Sequence, residues 1–402
     1  MKYLKEKLKE IFWDYPEFWN YYINSDGEIN EHDARRFIKK YFEHASKQSV
    51  VTEWLKLQDC DDSMRYQHSA IVFFIGAMIQ KEIDEDLYIR SEELINGRYI
   101  HYPFSYLWFL TCLGHDIGYQ VEIYSHEQKG AIREEYENDH RNKKSFFSVS
   151  HIYKRLEEKK LTIIPSKERF GKVISQRNSI EADRGFKNNR TCASNCYDKN
   201  IVYSNYTVIS RRWYSLETQN KYFKMRFFEK GLIDHGITGA DYLHEKLLNN
   251  YKRAAENRDN GTYENFEDEN GKHFSIEQWR IFQYICDCIA AHNMYSSGTE
   301  VDRKMQYKRY GLECLWSENF RKISYKEDPL LFILCIADTL EPTKRFGNNN
   351  RTLDKIIIHY EKESNILIVH VDDDLGTEKQ RADYIRGVQQ LEEWVDINVE
   401  LS

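Results

Sequence analysis

The chain lacks the sequence signals of several protein classes. No stretch approaches the roughly 20 consecutive apolar residues that a membrane-spanning helix needs, so we expect no membrane segment. The amino terminus, Met1-Lys-Tyr-Leu-Lys-Glu-Lys, has no apolar region of the signal-peptide type, and we therefore expect a cytoplasmic protein. Motifs for a phosphate-binding P-loop, a serine nucleophile elbow and a dinucleotide-binding turn are also missing. With 41% hydrophobic and 31% charged residues, the composition favours a globular chain with a large core.

The chain has too few cysteines for disulfides to stabilise a fold of this size. The eight cysteines in 402 residues do not form a disulfide scaffold. Cys192 and Cys196 form a close pair, but no second pair completes a zinc site. Four others lie in apolar, helical-looking runs, where buried reduced thiols are the simplest interpretation: Cys112, Cys286, Cys288 and Cys335.

Charge is distributed unevenly along the chain. Residues 129–230 contain 23 Lys and Arg against 12 Asp and Glu, which gives a local charge of +11. Since the net charge of the whole chain is −7, the remaining residues carry −18. A basic segment on an acidic protein suggests an anionic partner or substrate near that segment.

Hydrophobic patterning predicts a mainly α-helical fold with three parts. We expect residues 1–58 to form an N-terminal helical region, and residues 59–346 to form a helical domain that a basic insertion interrupts at about 127–230. Within the insertion, residues 201–209 read as a strand. Residues 347–402 are predicted to form a small β-β-α-β unit, whose exposed strand edge could pair with a second copy in a homodimer.

Individual helices of the bundle have recognisable patterns. Residues 46–125 read as helices, and Pro103 is placed to open one of them. A strong helix is predicted over 275–295. Another begins at Asp328-Pro329, with Asp as the N-cap and Pro at the first helical position.

The most informative motif is His115-Asp116, which lies in the apolar run Thr111-Cys-Leu-Gly-His-Asp-Ile-Gly-Tyr119. A buried carboxylate beside an imidazole costs several kcal/mol without a partner, so the pair indicates a metal or a strong hydrogen-bond network. The same dipeptide at His32-Asp33 lies in a polar run and is most simply a solvated pair. The apolar setting therefore carries the information.

Five apolar helical segments each present such a polar residue or pair. Taken singly, each is most simply a satisfied core residue, but one or two divalent cations would satisfy them all at once. The five are His68, His115-Asp116, His235, His292 and Asp338.

This order of residues resembles the HD superfamily of metal-dependent phosphohydrolases, over roughly 60–125 and 230–346. The segment Asp234-His-Gly-Ile-Thr-Gly-Ala240 resembles the additional motif of members with two metals. Ala337-Asp-Thr-Leu-Glu-Pro342, followed by Lys344 and Arg345, resembles the terminal motif of the group that cleaves diadenosine tetraphosphate. The resemblance implies an HD-type helical bundle, and it does not explain the insertion or the C-terminal unit.

The resemblance also implies a ligand assignment. One metal would be held by His68, His115, Asp116 and Asp338, and Asp116 would bridge to a second metal held by His235 and His292. Imidazole and carboxylate ligands suit Mn, Fe, Co, Ni or Zn. Such a pair would activate a bridging hydroxide for attack on a phosphoryl group.

Other roles follow from position along the chain. Glu122 could orient the attacking water, although a surface glutamate needs no special explanation. Lys344 and Arg345 could neutralise a substrate phosphate, or they could simply favour the carboxyl end of a helix.

We therefore expect hydrolysis of a nucleotide's phosphate ester or anhydride. The basic, aromatic-bearing insertion leaves open a nuclease acting on single-stranded nucleic acid. A metal-binding regulatory or sensing module without turnover is the other alternative.

Overall fold

The structure is a computed structural model, and it describes a defined set of residues. These are 1–13, 63–84, 87–90, 101–116, 118–119, 201–203, 207–208, 216–230, 232, 234–240, 243, 276–295, 301–316, 318, 322–346 and 352–402. Predictions for 14–62, for Glu122 and for most of the insertion lie outside them.

The described part of the chain is mainly helical, as the patterning predicted, with 63% of it in helices. The helices are α1 (Leu4–Ile11), α2 (Ser63–Ile83), α3 (Phe104–His115), α4 (Leu216–Met225), α5 (Ile276–Ala291), α6 (Val301–Arg309), α7 (Pro329–Leu340), α8 (Thr343–Phe346), α9 (Glu378–Gln389) and α10 (Leu391–Trp394). The strands are β1 (Tyr88–Arg90), β2 (His101–Pro103), β3 (Ile201–Tyr203), β4 (Thr207–Val208), β5 (Ile356–Glu361), β6 (Ile366–Val371) and β7 (Asn398–Leu401).

Four helices surround the centre of the core. Helix α2 packs against α3 and α7, and α5 packs against the same two helices. In α2 the side chains from 68 to 80 are all buried, and in α7 nearly the whole helix is buried. A helix that is apolar on every side belongs inside a protein rather than on its surface. Polar residues within these helices are therefore carried into the interior.

Helix α7 begins where the sequence predicted. The Asp328 side chain accepts a hydrogen bond from the backbone N–H of Leu331 at 3.3 Å, and Pro329 occupies the first turn. Asp328 also accepts a 2.5 Å hydrogen bond from the hydroxyl of Tyr284 on α5. The N-cap thus fixes both the start of α7 and its contact with α5.

A small sheet corrects the prediction that 46–125 is entirely helical. Strands β1 and β2 pair antiparallel, and β3 adds to β1 to give the order β2-β1-β3-β4. Residues 201–209 were predicted as one strand, but β3 and β4 pair antiparallel with each other, so the chain reverses between them. Pro103 ends β2 and is the N-cap of α3, one residue before the predicted position.

The C-terminal unit has the predicted β-β-α-β order. Strands β5 and β6 form an antiparallel hairpin, and β7 joins β6 in parallel after α9 and α10. Strand β5 contacts α2, and α9 contacts α7 and α8. Its inward side chains belong to the same hydrophobic core as the helical bundle. Within the described residues, no helix is both long and apolar enough to cross a membrane.

Candidate metal centre

Helix ends position most of the predicted ligands. His115 is the last residue of α3 and Asp116 is its C-cap, while His292 directly follows α5. Asp338 lies in the last turn of α7. The carboxyl end of a helix carries a partial negative charge, so three such ends around one point favour a cation there.

His68 of α2 joins His115, Asp116 and Asp338 in one compact group. His68 Nε2 lies 3.1 Å from His115 Nε2, 3.1 Å from Asp116 Oδ2 and 3.1 Å from Asp338 Oδ1. His115 Nε2 is 3.5 Å from Asp116 Oδ1 and 3.7 Å from Asp338 Oδ1. The four side chains therefore direct nitrogen and oxygen atoms at one point.

These separations match a metal coordination shell. Ligands about 2.1 Å from a metal lie about 3.0 Å apart when adjacent in an octahedron and about 3.4 Å apart in a tetrahedron. The observed distances of 3.1 to 3.7 Å fall around both values. In addition, neither oxygen of the buried Asp116 has a well-directed hydrogen bond in the described part of the chain. Unsatisfied buried carboxylate oxygens fit a cation ligand.

The hydrogen bonds at Nδ1 prepare the histidines for this role. His115 Nδ1 lies 2.8 Å from the carbonyl oxygen of Cys112, and His292 Nδ1 lies 2.6 Å from that of Ile289. A carbonyl only accepts, so each Nδ1 donates its proton and a neutral ring keeps its lone pair at Nε2. Metal-bound histidines in proteins are generally held in this way.

Asp116 also belongs to a second group, with His235 and His292. Their potential ligand atoms all lie within 4.8 Å of one another. Burial and the neighbouring His235 lower the pKa of His292 to about 4, so its imidazole is neutral at physiological pH. The buried His and Asp groups of the structure could therefore hold a metal ion, and the donor set suits a transition metal.

The electrostatic environment of the group formed by His68, His115, Asp116 and Asp338 favours positive charge. Burial is the largest influence on His68 and lowers its pKa, but Asp116 and Asp338 outweigh it and raise that pKa to about 10. For the Asp116 carboxyl, burial raises the pKa, because it also disfavours the charged form there. His115, Lys344 and His68 have the opposite and larger effect, and they bring this pKa well below its usual value. A proton on His68 and a metal ion would therefore compete for the same position.

The two predicted phosphate-binding cations have different surroundings. Lys344 Nζ lies 3.0 Å from Asp338 Oδ1 and 3.6 Å from Asp116 Oδ2, and 39% of its side chain remains exposed. The Arg345 guanidinium instead donates to the backbone oxygen of Asp383 on α9 at 2.8 Å. The structure thus brings Lys344 to the cluster and directs Arg345 toward the C-terminal unit.

The sequence analysis assigned no role to three residues that surround His235. The Tyr119 ring stacks on His235 with 3.7 Å between centroids, and Lys344 Nζ lies 6.0 Å from the centroid of the Tyr119 ring. Asp234 caps the helical turn 235–240 by accepting from Ile237 N at 3.0 Å. A side chain at Gly118 would meet the backbone oxygen of His235 at 2.0 Å, so glycine permits this close packing.

Glu341 is the other residue that sequence reasoning missed. It caps the carboxyl end of α7, is buried, and lies 2.7 Å from His68 Nδ1 through its Oε2. Burial alone would raise the pKa of Glu341, but the His68 hydrogen bond lowers it below the usual value. Its place in Asp338-Thr-Leu-Glu341-Pro was visible, but no sequence pattern indicates that it reaches a histidine 273 residues away.

Comparison with known proteins gives no match for this chain among protein-family models, curated proteins or solved structures.

Proposed function

We propose that this protein is a metal-dependent phosphohydrolase of the HD type, which cleaves a phosphate ester or anhydride bond of a nucleotide. The observation that carries the proposal is the position of Asp116. Its carboxylate belongs to both ligand groups and has no well-directed hydrogen bond among the described residues. A buried carboxylate whose two oxygens lie between two sets of imidazoles is suited to bridging two cations.

The surrounding residues fit phosphoryl chemistry. A divalent metal pair bound at the cluster would activate water at neutral pH and neutralise charge on the phosphoryl group. Lys344 is partly exposed beside Asp338 and Asp116, where its ammonium can contact a phosphate oxygen as the substrate enters. Tyr119 holds the His235 ring by stacking and so limits its rotation. Glu122, as the residue that orients water, remains a prediction from the sequence.

The order of the clustered residues along the chain supports the HD assignment. His68, His115-Asp116, His235, His292 and Asp338 follow the pattern of superfamily members with two metals. The terminal Ala-Asp-Thr-Leu-Glu-Pro segment favours a nucleotide anhydride as the substrate class. The basic segment at 129–230 fits an anionic substrate.

The test is metal content together with phosphate release from a panel of nucleotides. We expect about two transition-metal ions per chain, and turnover that Asp116→Asn abolishes. The matched control is Asp33→Ala, since Asp33 follows a histidine in a polar run and is expected to leave metal and turnover unchanged. Metal without turnover on any nucleotide would point to a sensing module. Turnover of single-stranded oligonucleotides alone would point to a nuclease.

A stability measurement separates loss of the site from loss of the fold. In metal-free protein, Asp116→Asn removes a buried charge that His115, Lys344 and His68 stabilise, so we expect a lower Tm with unfolding that stays cooperative. Added metal should raise the Tm of the wild type and leave that of the variant unchanged. Loss of cooperative unfolding in the metal-free variant would instead indicate that the fold itself requires Asp116.

A further inference from the structure

Among three histidines of the metal centre, His68 differs from His115 and His292 in the partner of its Nδ1 atom. His115 and His292 each donate to the carbonyl three residues earlier, which is a local contact at a helix end. His68 instead contacts a side chain, the carboxylate of Glu341, which is the C-cap of α7 and lies 273 residues away in sequence. A point substitution can therefore probe the support of His68 without altering His68 itself.

The Glu341 carboxylate is surrounded by donors. Its Oε1 accepts from the backbone N–H of Thr343 at 2.8 Å and from the Thr343 hydroxyl. Its Oε2 accepts from the N–H of Lys344 at 3.2 Å, and His68 Nδ1 lies 2.7 Å away. An ionised carboxylate has no proton to give, so His68 Nδ1 must donate. In a neutral ring the lone pair is then at Nε2, which is the atom that faces His115, Asp116 and Asp338.

We propose that Glu341 is a positioning residue for the metal centre, which holds His68 in the tautomer and orientation that present Nε2 to the metal. The inference rests on the proposed metal centre and adds a residue to it. Carboxylates that accept from a ligand histidine raise its basicity and fix its ring, and their loss costs about 10- to 100-fold in metal affinity.

A purely structural role for Glu341 is separable from this one. Glu341 also satisfies the first backbone N–H groups of α8 (Thr343–Phe346), which is a capping function. Oε1 serves the cap alone, through Thr343, whereas Oε2 serves both the cap at Lys344 and the contact with His68. The two roles therefore respond differently to substitutions on either side of the carboxylate.

The informative variant is Glu341→Gln. Its amide oxygen can take the place of Oε1 and keep the hydrogen bonds from Thr343. The amide N–H₂ then faces His68 Nδ1, and the hydrogen bond from the N–H of Lys344 is also lost. His68 would then have to accept at Nδ1 and carry its proton at Nε2, where the metal would bind. We expect Co²⁺ affinity to fall about 10- to 100-fold, with a changed visible absorption spectrum of the bound Co²⁺.

The matched control is Thr343→Val. It removes a hydroxyl that donates to Glu341 but leaves the Glu341–His68 contact and the backbone N–H of residue 343. We expect a lower Tm with Co²⁺ affinity within about threefold of wild type. Equal losses of affinity in both variants would overturn the proposal, because the cap would then be the cause. Wild-type affinity and spectrum in Glu341→Gln would overturn it as well.

Turnover distinguishes this proposal from the proposed function. A wild type that binds Co²⁺ without hydrolysing nucleotides removes the hydrolase assignment, and the affinity comparison still tests Glu341. If turnover is present, the rate lost in Glu341→Gln should recover at raised metal concentration, which a defect of the fold would not do. A wild type that binds no Co²⁺ overturns both proposals.

A second measurement covers the case in which Glu341→Gln fails to fold. In ¹⁵N-histidine-labelled wild-type protein with bound Zn²⁺, NMR should show His68 protonated at Nδ1, assigned by the signal missing from His68→Gln. A proton at Nε2 of His68 would overturn the proposal.

Discussion

Lys344 and Arg345 are neighbouring cations whose side chains contact different parts of the protein. Lys344 reaches Asp338 and Asp116, whereas Arg345 donates to the backbone of α9. The sequence predicted the same role for both because their charge and position in the terminal motif are equivalent. The direction of each side chain depends on what packs on each side of α8, and this is a property of the tertiary structure.

Substitutions of Lys344 and Arg345 should therefore have different effects. In Lys344→Met the ammonium that faces the cluster is lost, and we expect KM for the nucleotide to rise about tenfold or more, the cost of a charge-assisted hydrogen bond. The control Arg345→Met should leave KM near wild type and lower Tm, since it removes a contact with the C-terminal unit. Steady-state kinetics and thermal unfolding measure both effects. A larger rise of KM in Arg345→Met than in Lys344→Met would contradict the assignment.

Helix α7 is the element on which the site depends most. It carries Asp338 in its last turn and ends at Glu341, so its start determines where both carboxylates lie along the helix axis. Asp328 fixes that start and accepts from Tyr284 of α5. The cap was predictable from Asp328-Pro329, but the bond to Tyr284 was not, because it joins elements that are distant in sequence.

Substitution of the N-cap residue Asp328 should destabilise the fold. Asp328→Ala leaves the N–H of Leu331 and the hydroxyl of Tyr284 without this acceptor in the interior, and we expect a loss of about 2 kcal/mol in the free energy of unfolding. Asp302→Ala is the control, because Asp302 lies exposed in the first turn of α6 and should cost less than about 0.5 kcal/mol. Urea unfolding followed by circular dichroism measures both. Equal costs at the two positions would argue against the cap.

Across the whole molecule, the helical bundle and the C-terminal unit bury side chains in one core. Strand β5 packs against α2, and the hydroxyl of Tyr384 on α9 donates to the backbone oxygen of Leu340 at 2.8 Å, directly before Glu341. The end of α7, and with it the support of His68, is therefore held from the C-terminal side. Sequence patterning predicted the unit's strand and helix order but not this contact.

Cysteine reactivity tests whether the helical core unfolds as one body. Burial raises the pKa of the Cys112, Cys288 and Cys335 thiols well above the usual value, and these residues lie on α3, α5 and α7. We expect iodoacetamide to leave them unmodified in the native protein and to modify exposed Cys314. With rising urea, all three should become reactive together. Modification of one well before the others, seen by mass spectrometry, would show that the core opens in parts.

Hydrophobic patterning was enough to predict the main helices and the residue types of the site. Apolar periodicity places His68, His115, Asp116, His292 and Asp338 in or at the ends of buried helices, because a helix that is apolar on all sides is driven out of water whatever polar residue it carries.

How these residues meet depends on tertiary packing. The 3.1 Å separations at His68, the sharing of Asp116 between two groups, the support from Glu341 and the divergence of Lys344 and Arg345 all depend on the packing of helices distant in sequence. The same holds for the pairing of β3 with β1 across more than a hundred residues. Local sequence encodes hydrophobicity and backbone propensity, whereas these contacts depend on the crossing of helices and the close packing of their side chains, which no local pattern specifies.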